Sequence, residues 1–148
     1  MKFYIVFSIL FMHVILYGKD IDIFQKYHTA SIYNGIPKTP KYNSDSMDLL
    51  FYKSIKKVAS SPVDFAGCCN VFQVYSGGGS ISAYIIDTKE GKLYSFPDDY
   101  EGAGNIDFEI TYKVNSSAIC ITGISANDDT VYNNQCYNFQ QGEFFPIN

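Results

Sequence analysis

Two groups of residues in this chain carry side chains that could do chemistry. The first is sulfur: Cys68 and Cys69 are adjacent, and Cys120 and Cys136 lie well downstream. A thiol attacks as its thiolate, so it needs a neighbouring base to lower its pKa. Beyond residue 18 the only histidine is His28 and there is no Arg, so the base would be His28 or a Lys. The second group is the acidic stretch Pro97–Asn105, where Asp98, Asp99 and Glu101 stand within one short loop-like segment. Carboxylates so placed could hold Ca²⁺ weakly, or act as a pair in glycoside hydrolysis. Their spacing is not that of an EF-hand, and a solvated loop explains them with less.

Other catalytic patterns are missing from the sequence. It has no C-x-x-C, no H-E-x-x-H and no G-x-S-x-G, so the sequence implies neither a metal nor a cofactor. Ser76-Gly77-Gly78-Gly79-Ser80 resembles a phosphate cradle, but it lacks the P-loop Lys and joins two strand patterns instead of opening a helix. It reads as a hairpin tip. Asn115-Ser116-Ser117 is a glycosylation sequon, which has meaning only in a eukaryotic host.

The first eighteen residues, MKFYIVFSILFMHVILYG, begin with one Lys and continue as an almost unbroken apolar run to Tyr17. A basic start, an apolar middle and a small final residue make a secretory signal peptide. The run is shorter than the ~20 residues of a spanning helix and no basic cluster follows it. The expected product is an exported chain, periplasmic or secreted, with no membrane span. From Lys19 onward, 11 bases less Lys2 leave 10 Lys against 15 Asp and Glu, a net charge of −5. An acidic domain without Arg repels a phosphate backbone, which excludes nucleic acid as a partner.

The remaining ~130 residues suit one domain with its own core. Thirteen Tyr and twelve Phe argue against disorder. Residues 19–44 are polar and carry Asn34-Gly35, Pro37 and Pro40, which predicts an extended arm with at most an edge strand. His28 lies on that arm as a surface residue. Residues 46–60 predict the one helix: Phe51, Ile55, Val58 and Ala59 form a single stripe, Ser44 or Ser46 could cap it, and Pro62 stops it.

Strand patterns follow at 69–76, 81–87, 92–96, 106–114, 118–125, 131–139 and 143–147. The segment 106–114 alternates most regularly, with Ile106, Phe108, Ile110, Tyr112 and Val114 on one face. The fold class predicted is therefore α+β and mostly β. Residues 45–148 would form one antiparallel meander or small sandwich of six to seven strands, with one helix packed on it.

Cysteines in an exported chain read first as disulfides. A hairpin centred on Asp128 puts Cys120 opposite Cys136, near enough to bridge. Consecutive strand residues point to opposite faces, so at most one of Cys68 and Cys69 would face the core. A vicinal disulfide and a pair of thiols, one buried and one reactive, both remain open for them.

One stretch resembles a known group. Phe65-Ala66-Gly67, Tyr75-Ser76-Gly77-Gly78-Gly79 and Ile86-Asp87 followed by Gly91-Lys92-Leu93-Tyr94-x-Phe96-Pro97 resemble a set of small uncharacterised exported bacterial proteins. Their pattern is a short helix, then N-F-A-G-H-Y, a W-G-C-G-T-x-C loop and I-x-D-x-x-T-G-K-V-Y-x-x-P. The match covers about residues 46–97. Cys68 stands where the group has His, and Gly77 and Ile81 stand where it has two Cys. The resemblance implies the fold and export and carries no residue's role across.

Two functions fit these readings. One is an exported non-enzymatic binding protein, an inhibitor or immunity-type neutraliser of a basic envelope or secreted protein. Its support is small size, many Tyr for rigid amphipathic contact, and acidic charge, with Asp98, Asp99 and Glu101 as candidate binding residues. The alternative is a small exported enzyme that uses a Cys68 or Cys69 thiol, or the same three carboxylates.

Overall fold

A computed structural model of the protein describes residues 22–43, 45, 47–102 and 106–148. The signal-like leader lies outside these residues, as do the proposed caps Ser44 and Ser46. The elements are α1 (Ile23–Lys26), α2 (Leu49–Ala59), β1 (Cys69–Tyr75), β2 (Ser80–Asp87), β3 (Lys92–Glu101), β4 (Glu109–Tyr112), β5 (Ala118–Ser125), β6 (Val131–Gln140) and β7 (Glu143–Pro146). All pairings are antiparallel, in the order β1-β2-β3-β5-β6-β7, with β4 also paired to β5. The protein is thus α+β and mostly β, as the strand spacing indicates. No described helix is long and apolar enough to cross a membrane.

Helix α2 starts where Asp48 accepts hydrogen bonds from the backbone N–H groups of Leu50 and Phe51, at 2.7 and 3.2 Å. Lys56 and Lys57 occupy its last turn, beside the negative end of the dipole. The helix buries Ile55 and Ala59 against Ile86, with Phe51, Val58, Phe72 and Leu93 packed around them. The next residue along β2, Ile85, points the other way into the main core with Ala83, Phe96, Tyr100, Ile119, Ile121 and Phe139. Strand β2 is therefore covered on both faces towards its end, where its sequence runs Ala83-Tyr84-Ile85-Ile86 without a polar break.

The two halves of the sheet meet at only two paired positions, Tyr100 with Ser125 and Glu101 with Ile124. Away from that corner β3 and β5 part, and the halves fold over a shared aromatic core. Tyr94 and Phe96 of β3 reach across to Phe139 of β6 and Phe144 of β7, with ring centroids 5.6 and 5.1 Å apart.

The arm over residues 22–43 is corrected in one respect: it opens with the single turn α1, capped by the Asp22 side chain, instead of an edge strand. Short-range capping by the Asp22 side chain sets that turn. Beyond it the arm is extended and is fastened by main-chain hydrogen bonds. Tyr27 C=O accepts from Ser117 N–H at 2.9 Å, Thr29 N–H donates to Asn115 C=O at 2.8 Å, Tyr33 N–H to Gly67 C=O at 2.6 Å, and Lys38 N–H to Thr88 C=O at 2.7 Å.

Two strand boundaries also move. The regular 106–114 alternation yields a ladder only at Glu109–Tyr112, because that is the length over which β5 offers partners. Conversely, β3 continues through Pro97-Asp98-Asp99 to Glu101, where a turn-like composition predicted a loop. An irregularity in the ladder between Ser82 and Tyr84 accommodates the extra residues around Pro97.

Candidate functional site

The acidic segment is β-strand up to Glu101, and its carboxylates do not converge. Alternation along β3 places Asp98 on the side of buried Phe96 and Tyr100, while Asp99 is exposed on the other side. Asp98 Oδ2 accepts from the Tyr132 hydroxyl at 3.0 Å, and its Oδ1 accepts from Asn127 Nδ2 and Asp99 N–H. Partial burial pushes the Asp98 carboxyl up. Hydrogen bonds from Ser125, Asn127 and Tyr132 more than offset that and hold it below the usual carboxylate range. Burial, then the bond to Asp98, raises the Tyr132 phenol to about 12. Asp98 is therefore a clasp between β3 and the β5–β6 hairpin.

The same clasp brings a second acidic stretch alongside. Ala126 N–H donates to Asp99 C=O at 2.9 Å, which sets the hairpin tip Asn127-Asp128-Asp129 next to Asp98 and Asp99. Asp128 is engaged by Thr130 N–H at 3.0 Å, and side-chain and backbone bonds from Thr130 lower its carboxyl. Among the described residues the ion pairs are Lys92–Glu90 and Lys113–Asp22, and neither involves this end. Between β2 and β3, where the ladder opens, a shallow cleft of about 320 Å³ is lined by Ser82, Ser95, Asp98, Asp99 and Asn127. The sequence shows Asp128 and Asp129 only as turn residues; their meeting with β3 depends on a pairing between distant segments.

The cysteines occupy two different settings. Cys120 and Cys136 are directly opposed in the β5–β6 ladder and form a disulfide. Cys68 and Cys69 are also at disulfide distance, and no described cysteine is free. This corrects the strand-based view of the pair, because Cys68 precedes β1. It sits in a turn in which the Cys68 and Cys69 N–H groups both donate to Phe65 C=O, at 3.2 and 2.9 Å. Ala66 and Gly67 hold φ of +51° and +73° in that turn. The alternation rule does not apply to a turn, and both sulfurs lie against the main core. Cys69 is fully buried and Cys68 half-buried.

That turn forms the floor of a groove of about 710 Å³ at the open end where the halves of the sheet part. His28 of the arm, Asp87 at the end of β2, Glu90 just after it, and Tyr94 of β3 line it together with Cys68. Asp87 stands opposite Cys69 in the β1–β2 ladder, and its Oδ1 is fixed by the N–H groups of Lys89 and Glu90 at 2.9 and 2.8 Å. Cys68, Cys69 and Asp87 are the one set of three potential metal donors among the described residues, with ligand atoms within 4.8 Å of one another. With the two sulfurs bonded to each other they offer no thiolate, so the set does not constitute a metal centre in this state. Asp98, Asp99 and Glu101 form no such set.

Fold and sites together define a class: a small antiparallel β domain with one covering helix, two disulfides, an acidic end and a sulfur-floored groove. No protein-family model, no curated protein and no solved structure matches the chain.

Proposed function

We propose that the protein is an exported, non-enzymatic binding module that neutralises a basic envelope or secreted protein, and that it does so through its acidic end. The observation that carries this reading is the joining of Asp98-Asp99 on β3 to Ala126 and Asn127 of the β5–β6 tip, the turn that carries Asp128 and Asp129. Asp98 and Asp99 stand on β3 and Asp128 and Asp129 on the turn joined to it, and among the described residues no lysine forms an ion pair with them. A rigid cluster of one sign steers an oppositely charged partner and costs little ordering on binding. The cleft beside Ser82 and Ser95 offers oxygen acceptors for a lysine or arginine side chain. Export is supported by the leader-like first eighteen residues and by cysteines at disulfide distance.

The test is capture with tagged residues 19–148 from the producer's envelope and culture fluid, read by mass spectrometry over a salt series. The reading expects one dominant basic partner whose capture falls as salt rises. It also expects weaker capture by the double reversal Asp99→Lys/Asp129→Lys, which leaves the Asp98 clasp intact. No partner above background, or capture indifferent to both salt and reversal, would overturn it.

A further inference from the structure

The groove at the opposite end suggests a second property, independent of the acidic end. We propose that the Cys68–Cys69 disulfide is an electrophilic site that captures a small thiol at Cys68. The case rests on placement. Cys68 lines the groove, whereas Cys69 behind it is fully buried, so a solvent-borne thiol can reach only one sulfur of the pair. The turn that presents Cys68 is held on both sides. Thr88 donates to Cys68 C=O from both its N–H and its hydroxyl, at 3.1 and 2.8 Å, and the arm fastens Gly67.

Opening the bond therefore leaves the surrounding main-chain framework in place, because adjacent residues close no loop of chain. Cys120–Cys136 differs in this respect, since it ties β5 to β6. The groove has room for a tripeptide-sized thiol, and it offers both signs of charge, with Lys92 beside Glu90 at 2.7 Å and Asp87 nearby.

The step balances without any further reagent. The incoming thiolate attacks Cys68 Sγ and a new S–S bond forms between them. The Cys68–Cys69 bond breaks, and its electron pair leaves with Cys69 Sγ, which takes a proton from water. The incoming sulfur is oxidised and Cys69 is reduced. Cys69 then lies next to the mixed disulfide as a buried neutral thiol, placed to reclose the pair and expel the ligand. Each chain captures one thiol, so this is stoichiometric capture and not turnover.

Glutathione is the probe. Native full-length protein is exposed to millimolar reduced glutathione, quenched with N-ethylmaleimide and read by intact mass and peptide mapping. The expected species carries one glutathione on Cys68 and one maleimide on Cys69, with Cys120–Cys136 still closed. In a second arm, Cys69→Ser and Cys68→Ser are offered oxidised glutathione. Cys68 in the first variant is expected to form the mixed disulfide at least about tenfold faster than Cys69 in the second, because exposure governs thiol access.

The proposal is overturned if the pair stays closed in the native protein while a denatured sample opens, if Cys120–Cys136 opens first, or if glutathione maps to Cys69. Equal rates for the two folded variants would also overturn it. Should either variant fail to fold, the wild-type map still decides which sulfur is attacked.

Discussion

At the scale of single residues, two positions in the turn before β1 carry strong expectations. Gly67 has φ +73°, and a Cβ built on it would collide with the carbonyl oxygen of Ser31 in the arm. Gly67→Ala combines a disfavoured backbone region with a backbone clash that no rotamer relieves, so it should lower stability by about 2 kcal/mol in a denaturant titration. Asp64 is the second position. Burial raises its carboxyl above the ordinary value, and the bonds from Val71 N–H and the Tyr112 hydroxyl only partly offset that. Because the folded pKa exceeds the unfolded one, the native state binds the extra proton between them. The penalty is absent below the unfolded value, grows as pH rises through the folded value, and persists at neutral pH. Asp64→Asn keeps an acceptor for Val71 N–H, so it should flatten that part of the stability–pH curve and leave neutral-pH stability equal or higher. Asp98 carries the opposite sign: its depressed carboxyl contributes stability above the ordinary carboxylate pKa that is lost as pH falls through the folded value. Asp98→Ala, which strands the Tyr132 hydroxyl and Asn127 amide, should cost about 1–2 kcal/mol near neutrality and less in acid.

At the scale of elements, the β5–β6 hairpin shows what a sequence can and cannot reveal. Cys120 opposite Cys136 follows from a turn centred on Asp128, yet the turn is not centred there. Next to the tip, Ile124 faces Val131 and Gly123 faces Tyr132, one residue out of step with the Cys120–Cys136 register. An extra residue in β6, with Asn134 at φ +50° and its N–H bonded to Thr122 Oγ1 at 3.2 Å, restores the pairing before the cysteines. The pairing was legible from spacing; the bulge that secures it was not. The α2 stripe and the strands with clear apolar periodicity were legible for the same local reason. The passage of β3 through Pro97 was hidden, as was the meeting of Asp98 with Asn127, because each depends on a distant partner. The two disulfides should also differ as elements. Cys120–Cys136 closes a sixteen-residue separation and, on the chain-entropy account, contributes about 3 kcal/mol. Cys68–Cys69 closes none. The double variant Cys120→Ser/Cys136→Ser should therefore lower the unfolding midpoint far more than Cys68→Ser/Cys69→Ser, as calorimetry on both would show.

At the scale of the whole molecule, the arm decides whether the open end is a groove or a bare sheet end. Its main chain is bonded to Asn115, Ser117, Gly67 and Thr88, so one strap spans the turn of Cys68, the end of β2 and the loop before β5. Lys113 adds an ion pair to Asp22 at 2.6 Å, and the Phe24 ring lies under the same ammonium, 4.7 Å from its centroid. The main core, by contrast, is built from the segment 65–144 without any arm residue among its buried members. A chain beginning at Tyr42 should therefore keep its fold, since the β ladders and the α2 packing do not pass through the arm. It should be less stable by about 2–4 kcal/mol, the net worth of a few main-chain hydrogen bonds. Loss of the arm also removes His28 and Thr29 from one wall of the groove and releases Gly67. Cys68 should then react faster with glutathione while Cys120–Cys136 stays closed. Circular dichroism and the same mass-spectrometric assay measure both effects. A truncated chain that is unfolded would show that the strap is part of the folding unit. One that is folded but has unchanged Cys68 reactivity would show that the groove's wall does not control access to the sulfur.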